Sequence, residues 1–294
     1  MPIEKEDTGK SLSNWQTKPE LMLKHRIITA SVLIPLVLFT IFSSNATYFG
    51  LLIALFVIVA AKEWGRLLKL QQFAFIAYAI LNAILLLSIY LLASEHVYLI
   101  LAVTAAIFWC IALAIVIAYQ NELKLLPKSR WLLLLLGQLL LTSTWSSLFY
   151  VKAFFTEGTL LVLFLILIIW SADSGAYFVG RSIGKRQLAS RVSPGKTWEG
   201  VFGGFMTSIL VSLVFVFTVS FNEIELSWVV LITLMTVIFS IVGDLFESIL
   251  KRDADIKDSG NLLPGHGGAL DRIDSLMAAG PFYALLCALS GSTT

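Results

Sequence analysis

Nine apolar stretches, spread along almost the whole chain, decide what this sequence can fold into. They run at roughly 27–43, 47–61, 73–93, 97–119, 131–151, 158–179, 201–221, 227–245 and 275–290. Crossing the hydrocarbon core of a bilayer takes about 20 mostly apolar residues, because a helix rises about 1.5 Å per residue and must satisfy its own backbone amides. The second and ninth stretches fall short of that length, so their ends are the least defined. Composition agrees: 58% of the 294 residues are hydrophobic and 14% are charged, against roughly 25% charged in a soluble domain. The expected architecture is an all-α polytopic membrane protein with about nine transmembrane helices.

The distribution of Lys and Arg orients the bundle, since cytoplasmic loops carry an excess of both. With the N-terminus in the cytosol, the inner segments hold Lys5 to Arg26, then Lys62, Arg66 and Lys69, then Lys124, Lys128 and Arg130. They continue with Arg181, Lys185, Arg186, Arg191 and Lys196, and finish with Lys251, Arg252, Lys257 and Arg272. That places 20 of the 21 basic residues inside and leaves Lys152 alone outside. Nine spans then put the C-terminus outside. Residues 1–26 read as a cytosolic polar segment, with no cleavable leader. Residues 27–157 read as a scaffold of about five helices. Residues 158–294 read as the catalytic region, with about four helices and two charged cytosolic loops near 180–200 and 246–274. Cys110 and Cys287 lie far apart in apolar runs and read as small hydrophobic residues. The sequon at Asn45-Ala46-Thr47 is short enough to arise by chance and carries no weight.

Charge crowded at a membrane boundary is costly unless it is paired or metal-bound, and the second loop is crowded. At the end of the eighth apolar stretch, Asp244, Glu247, Ser248 and Lys251 fall at i, i+3, i+4 and i+7, which puts them on one helical face. The bland alternative is a helix end with Glu247 and Lys251 as a solvated pair. Asp244 lies deeper, beside Gly243, where an ionisable group is a functional candidate by default. Downstream, Gly265, Gly267 and Gly268 let the backbone approach a ligand closely and surround His266. Asp271 and Asp274 follow one turn apart, with Arg272 between them, just before the ninth stretch. Asp173 is a further carboxylate, inside the sixth stretch.

Ser193-Pro-Gly-Lys-Thr-Trp-Glu-Gly200 contains a Gly-Lys-Thr, but position 190 is Ser where a P-loop needs Gly, and no strand precedes it. The expected reading is a helix capped by Ser193 with Pro194 at its first position, aiming its free amides and Lys196 at a phosphate.

These segments together resemble the signature of the phosphatidate cytidylyltransferases. The run from Ser248 through Lys251, Arg252, Lys257, Asp258, Pro264, Gly265, His266, Gly267, Gly268, Asp271 and Arg272 to Asp274 matches it without a gap. The 193–200 segment and Ala172-Asp173-Ser-Gly-Ala-Tyr177 are similar to its other landmarks. The resemblance covers about 160–290 strongly, and the rest through its helix count. It implies condensation of CTP with phosphatidic acid to give CDP-diacylglycerol and pyrophosphate, with divalent metal, usually Mg²⁺.

The residues suit that chemistry. The lipid phosphate, with a second pKa near 6, is largely dianionic at neutral pH and needs no base. The demand is for charge neutralisation and in-line alignment. Asp244 and Asp271 are the expected Mg²⁺ ligands, since Mg²⁺ takes one or two carboxylates and completes its shell with water and phosphate. A second cation beside it is compatible with the donors. Lys251, Arg252, Lys257 and Arg272 are expected to clamp phosphates, and His266 to hydrogen-bond a phosphate or carboxylate. Ser193, Lys196 and Thr197 are expected to hold either CTP or the headgroup. Asp173, Glu247, Ser248, Asp258, Gly267, Gly268 and Asp274 complete the expected substrate-binding set.

The expected setting is a bacterial plasma membrane, with the site facing the cytosol. Its partners are CTP, phosphatidic acid and the bilayer, with no nucleic acid; a homodimer is compatible. A CTP-dependent lipid or polyprenol kinase is the alternative enzyme and is distinguished by releasing CDP. A transporter using Asp173, Asp244 and Asp271 as an ion path is disfavoured, because no glycine- or proline-broken helices pair in matching halves.

Overall fold

A computed structural model describes residues 31, 34–43, 45–123, 125–219, 225–260, 262 and 267–291. The polar segment at 1–26, the start of the first apolar stretch, Gly265 and His266 lie outside the described residues. Helix α1 includes residues 34–42. It is followed by α2 (Ala46–Leu67), α3 (Gln72–Leu92), α4 (Glu95–Gln120), α5 (Arg130–Phe154) and α6 (Gly158–Ile183). A short hairpin, β1 (Gln187–Ala189) and β2 (Ser193–Thr197), leads into α7 (Trp198–Val219), α8 (Leu226–Asp253) and α9 (Leu270–Leu289). Among the described residues, eight helices are long and apolar enough to span a membrane. The chain is therefore an integral membrane protein.

The helices are built as the apolar runs require, with caps at their polar ends. Asn45, the would-be sequon residue, accepts the Thr47 N–H at 2.8 Å and starts α2. Lys152, the basic residue that the charge distribution assigned to the outer side, is buried. Its ammonium donates to the Ile41 carbonyl at 2.7 Å and to Thr159 at 2.5 Å, tying the end of α1 to the start of α6. Both cysteines are free, as expected of residues that only pack.

Of the boundaries that differ from the sequence reading, three bear on the charged residues. The expected loop at 246–274 is helical as far as Asp253, because Phe246, Ile249 and Leu250 stay buried and carry α8 onward. Helix α9 begins at Leu270, so Asp271, Arg272 and Asp274 sit in its first turns and not before it. Ser193 does not cap a helix. It lies in β2, opposite Ala189 across the hairpin. The cap of α7 is Thr197, whose hydroxyl accepts the Gly200 N–H at 3.1 Å. Ser193 and Pro194 are four and three residues too early, because pairing of Gln187 with Thr197 keeps the chain extended up to Thr197.

Two close approaches fix the C-terminal half. Helices α6 and α7 pack through small residues, which let backbones come together where lipid offers no hydrophobic drive. A Cβ at Gly203 would meet the Val179 Cβ at 2.5 Å. Helices α8 and α9 touch at Gly243, where a Cβ would meet the Asp274 carbonyl oxygen at 2.3 Å. The residue after that glycine is Asp244, which is thereby set beside Asp274.

Candidate active site at one end of the bundle

Charged residues of α6, β2, α8 and α9 form two adjoining groups. The first contains Asp173, Lys196, Asp244, Arg272 and Asp274. Lys196 pairs with Asp244 at 2.5 Å, and both side chains are about a third exposed, at 29% and 34%. Asp173 lies within the fields of Lys196, Asp244 and Arg272, and Asp274 within those of Asp244, Lys196 and Lys251. At 1.5 Å per residue, Asp244 is about 14 Å before the end of α8, so the group is recessed below the helix ends.

The second group is more enclosed. Lys251 donates to Glu247 at 2.6 Å and to Asp271 at 2.8 Å, and only 14% of its side chain is exposed. The i,i+4 pair of the sequence reading therefore exists, but away from solvent. Asp271 also accepts the backbone N–H groups of Ser259, at 3.0 Å, and Gly268, at 2.7 Å. Gly267 has φ 81°, a left-handed conformation that glycine adopts without penalty, and this turns the next amide onto Asp271. Ser248 donates to Asp244 at 3.4 Å, so the four-residue face on α8 is as expected.

Not every expected residue joins. Arg252, Lys257 and Asp258 are exposed and make no ion pair among the described residues. Ser193 sits at the turn of the hairpin, the far end of β2 from Thr197. One carboxylate was missed altogether. Glu63, at the end of α2, is 3% exposed and accepts from the Ser259 hydroxyl at 3.2 Å and the Leu270 N–H at 2.8 Å.

Two cavities flank the first group. One, of about 240 Å³, is lined by Asp173, Lys196 and Thr197 together with Gly195, Gly200 and Gly204. The other, of about 330 Å³, is almost wholly apolar, with walls from α1, α2, α5, α6 and α9, including Phe49, Ile53 and Trp170. Among the described residues, Arg272 is its one charged lining residue.

The donor set fits Mg²⁺. The two groups bring five carboxyl groups (Asp173, Asp244, Glu247, Asp271, Asp274) beside three cations (Lys196, Lys251, Arg272), and oxygen donors are what a hard cation takes. Buried Glu247 Oε1 has no hydrogen-bond partner among the described residues. Nor do three His, Cys, Asp or Glu side chains converge there into a ready metal cage. Mg²⁺ ordinarily uses one or two carboxylates and takes its other ligands from water and phosphate.

The Cytidylyltransferase family pattern matches residues 24–290, nearly the full length. The chain belongs to this family. A protein from Pseudomonas aeruginosa named phosphatidate cytidylyltransferase is 42% identical over 271 residues, covering 92% of this chain and 98% of its own. One of the same name from Haemophilus influenzae is 36% identical over 282 residues, 90% of this chain and 98% of its own. A Bacillus subtilis protein of that name is 47% identical over 132 residues, which is 45% of this chain and 49% of its own. As a cytidylyltransferase, this family member is an enzyme that transfers a nucleotidyl group.

Proposed function

We propose that the chain is a phosphatidate cytidylyltransferase, joining CTP and phosphatidic acid into CDP-diacylglycerol with release of pyrophosphate. The observation that carries this reading is the position of Arg272. Its guanidinium stands at the boundary between an apolar cavity suited to acyl chain and a recessed cluster of carboxylates and cations suited to phosphate. A diacylglycerol phosphate has that same division, with an apolar body and a dianionic end.

In the reaction, an oxygen of the lipid phosphate attacks the α-phosphorus of CTP. A new P–O bond forms as the bond to the β-phosphate oxygen breaks, and the electron pair leaves with pyrophosphate. No proton needs to be removed from the attacking dianion. Arg272 binds the lipid phosphate through paired N–H groups, a geometry that Lys cannot supply. Lys196, Thr197 and the open backbone at Gly195 face the 240 Å³ cavity and take the nucleotide phosphates.

Asp244 and Asp271 are the carboxylates that would hold Mg²⁺. Asp271 accepts from the Lys251 ammonium and from the Ser259 and Gly268 amides, which fix its carboxylate in place. The ion, when bound, offsets charge on the phosphates and leaving group. Lys251 keeps Glu247 and Asp271 together by neutralising both. The site faces the cytosol of a bacterial inner membrane, where CTP is available and where the basic loops belong.

The test uses detergent-purified protein, phosphatidic acid, CTP labelled at the α-phosphate, and Mg²⁺ or EDTA. Label is expected in lipid, with pyrophosphate released, only when Mg²⁺ is present. Asp244→Asn is expected to lose more than the roughly 10–100-fold typical of residues outside the metal shell. Label retained in CDP beside a newly phosphorylated lipid would replace this reading with a kinase.

A further inference from the structure

Glu63 belongs to the scaffold half of the chain, yet its partners belong to the charged loop. A buried carboxylate costs several kcal/mol unless compensated, and among the described residues no cation lies within salt-bridge distance of it. Its neighbours Lys62 and Arg66 are turned elsewhere, over the Phe75 ring at 5.9 Å and 5.0 Å. Compensation comes from the Leu270 N–H, at the positive end of α9, and from the Ser259 hydroxyl.

Two glycines are shaped around this carboxylate. A Cβ at Gly260 would lie 2.1 Å from Glu63 Oε1, and one at Gly268 would lie 2.5 Å from Oε2. No side chain larger than glycine fits either position without moving Glu63.

The same segment serves Asp271. Ser259 gives its hydroxyl to Glu63 and its N–H to Asp271. Gly268 leaves to Glu63 the space that a Cβ would fill, and gives its N–H to Asp271. Both residues are thus clamped between the two carboxylates, so that a shift of Glu63 is passed to Asp271 through two separate links.

We infer that Glu63 is a positioning residue for the transfer reaction: by holding Ser259, Gly268 and the start of α9, it sets the carboxylate of Asp271 for metal. This rests on Asp271 being a metal ligand, as proposed above. A glutamine oxygen could satisfy the same two donors. What the negative charge adds is the shorter and roughly twofold stronger bond of an ionised acceptor, and so the tightness of the clamp.

The test compares wild type, Glu63→Gln, Ser259→Ala and Asp271→Asn as full-length proteins in detergent. Three quantities are read: Mn²⁺ binding by electron paramagnetic resonance with a non-hydrolysable CTP analogue, melting temperature without metal, and the Mg²⁺ concentration for half-maximal turnover. Glu63→Gln is expected to melt close to wild type while Mn²⁺ binding weakens, and Mg²⁺ half-saturation rises, on the order of 10-fold or more. The KM for phosphatidic acid is expected to stay unchanged. Ser259→Ala, which keeps its N–H bond to Asp271, is expected to move the same way by less, and it serves as the readout if Glu63→Gln does not fold. Wild-type Mn²⁺ binding in Ser259→Ala and in folded Glu63→Gln, with Asp271→Asn weakened, overturns the role of Glu63 alone. Wild-type binding in Asp271→Asn overturns the metal reading beneath it.

Discussion

Lys251 shows how much of this site depends on single side chains. Its ammonium is the cation shared by Glu247 and Asp271, whose side chains are 3% and 7% exposed. Removing one partner of a buried ion pair costs about 3–5 kcal/mol, chiefly because the other charge is stranded. Lys251→Met is therefore expected to lower the melting temperature markedly as well as abolish turnover. Adding Glu247→Gln to Lys251→Met removes one stranded charge and is expected to recover part of the lost stability but none of the activity. Thermal unfolding of the single and double variants checks this. A double variant no more stable than the single one would show that Glu247 is not stranded by the loss of Lys251.

At the scale of elements, the glycines divide into those that hold helices together and those that leave room. Gly203→Ala sets a Cβ 2.5 Å from that of Val179 and is expected to part α6 from α7, with loss of monodisperse protein in size-exclusion chromatography. Gly195→Ala meets nothing within 4 Å and is expected to fold as wild type. Equal yields for the two would mean that the α6–α7 contact is not set by backbone approach. The helices themselves were readable, because a bilayer demands long apolar runs and the positive charges group between them. The α8 face of Asp244, Glu247, Ser248 and Lys251 was readable from the helical period. Glu63 was not. It follows Lys62 and precedes Arg66 at a helix end, where charges ordinarily reach for water, and its partners Ser259 and Leu270 are 196 and 207 residues away. The one local signal was its company of small and aromatic residues, Ala60, Ala61, Trp64 and Gly65, all buried. The hairpin escaped notice because strands of three and five residues carry too little alternation to register.

For the whole molecule, the arrangement of two cavities about one charged cluster addresses how an enzyme can join a substrate held in the membrane to one dissolved in water. The apolar cavity draws walls from both halves of the chain, α1, α2 and α5 as well as α6 and α9. The helices of the N-terminal half thus contribute directly to the cavity proposed for the lipid. Among the described residues, the 240 Å³ cavity proposed for the nucleotide draws its walls from α6, β2, α7 and α8. Filling the first should then affect one substrate and spare the other. Ile53 lines the apolar cavity from α2, ten residues before Glu63 and about 15 Å along the helix from it. Ile53→Trp is expected to raise the KM for long-chain phosphatidic acid severalfold. A short-chain analogue, which needs less of the 330 Å³, is expected to regain most of the loss, and the KM for CTP to stay at its wild-type value. Steady-state kinetics in mixed micelles, varying each substrate at saturation of the other, gives the separation. A parallel rise in both KM values would trace the effect to general disturbance of the bundle. An unchanged KM for every lipid would mean that the acyl chains lie outside this cavity, and Arg272 would then have to reach the lipid phosphate from another direction.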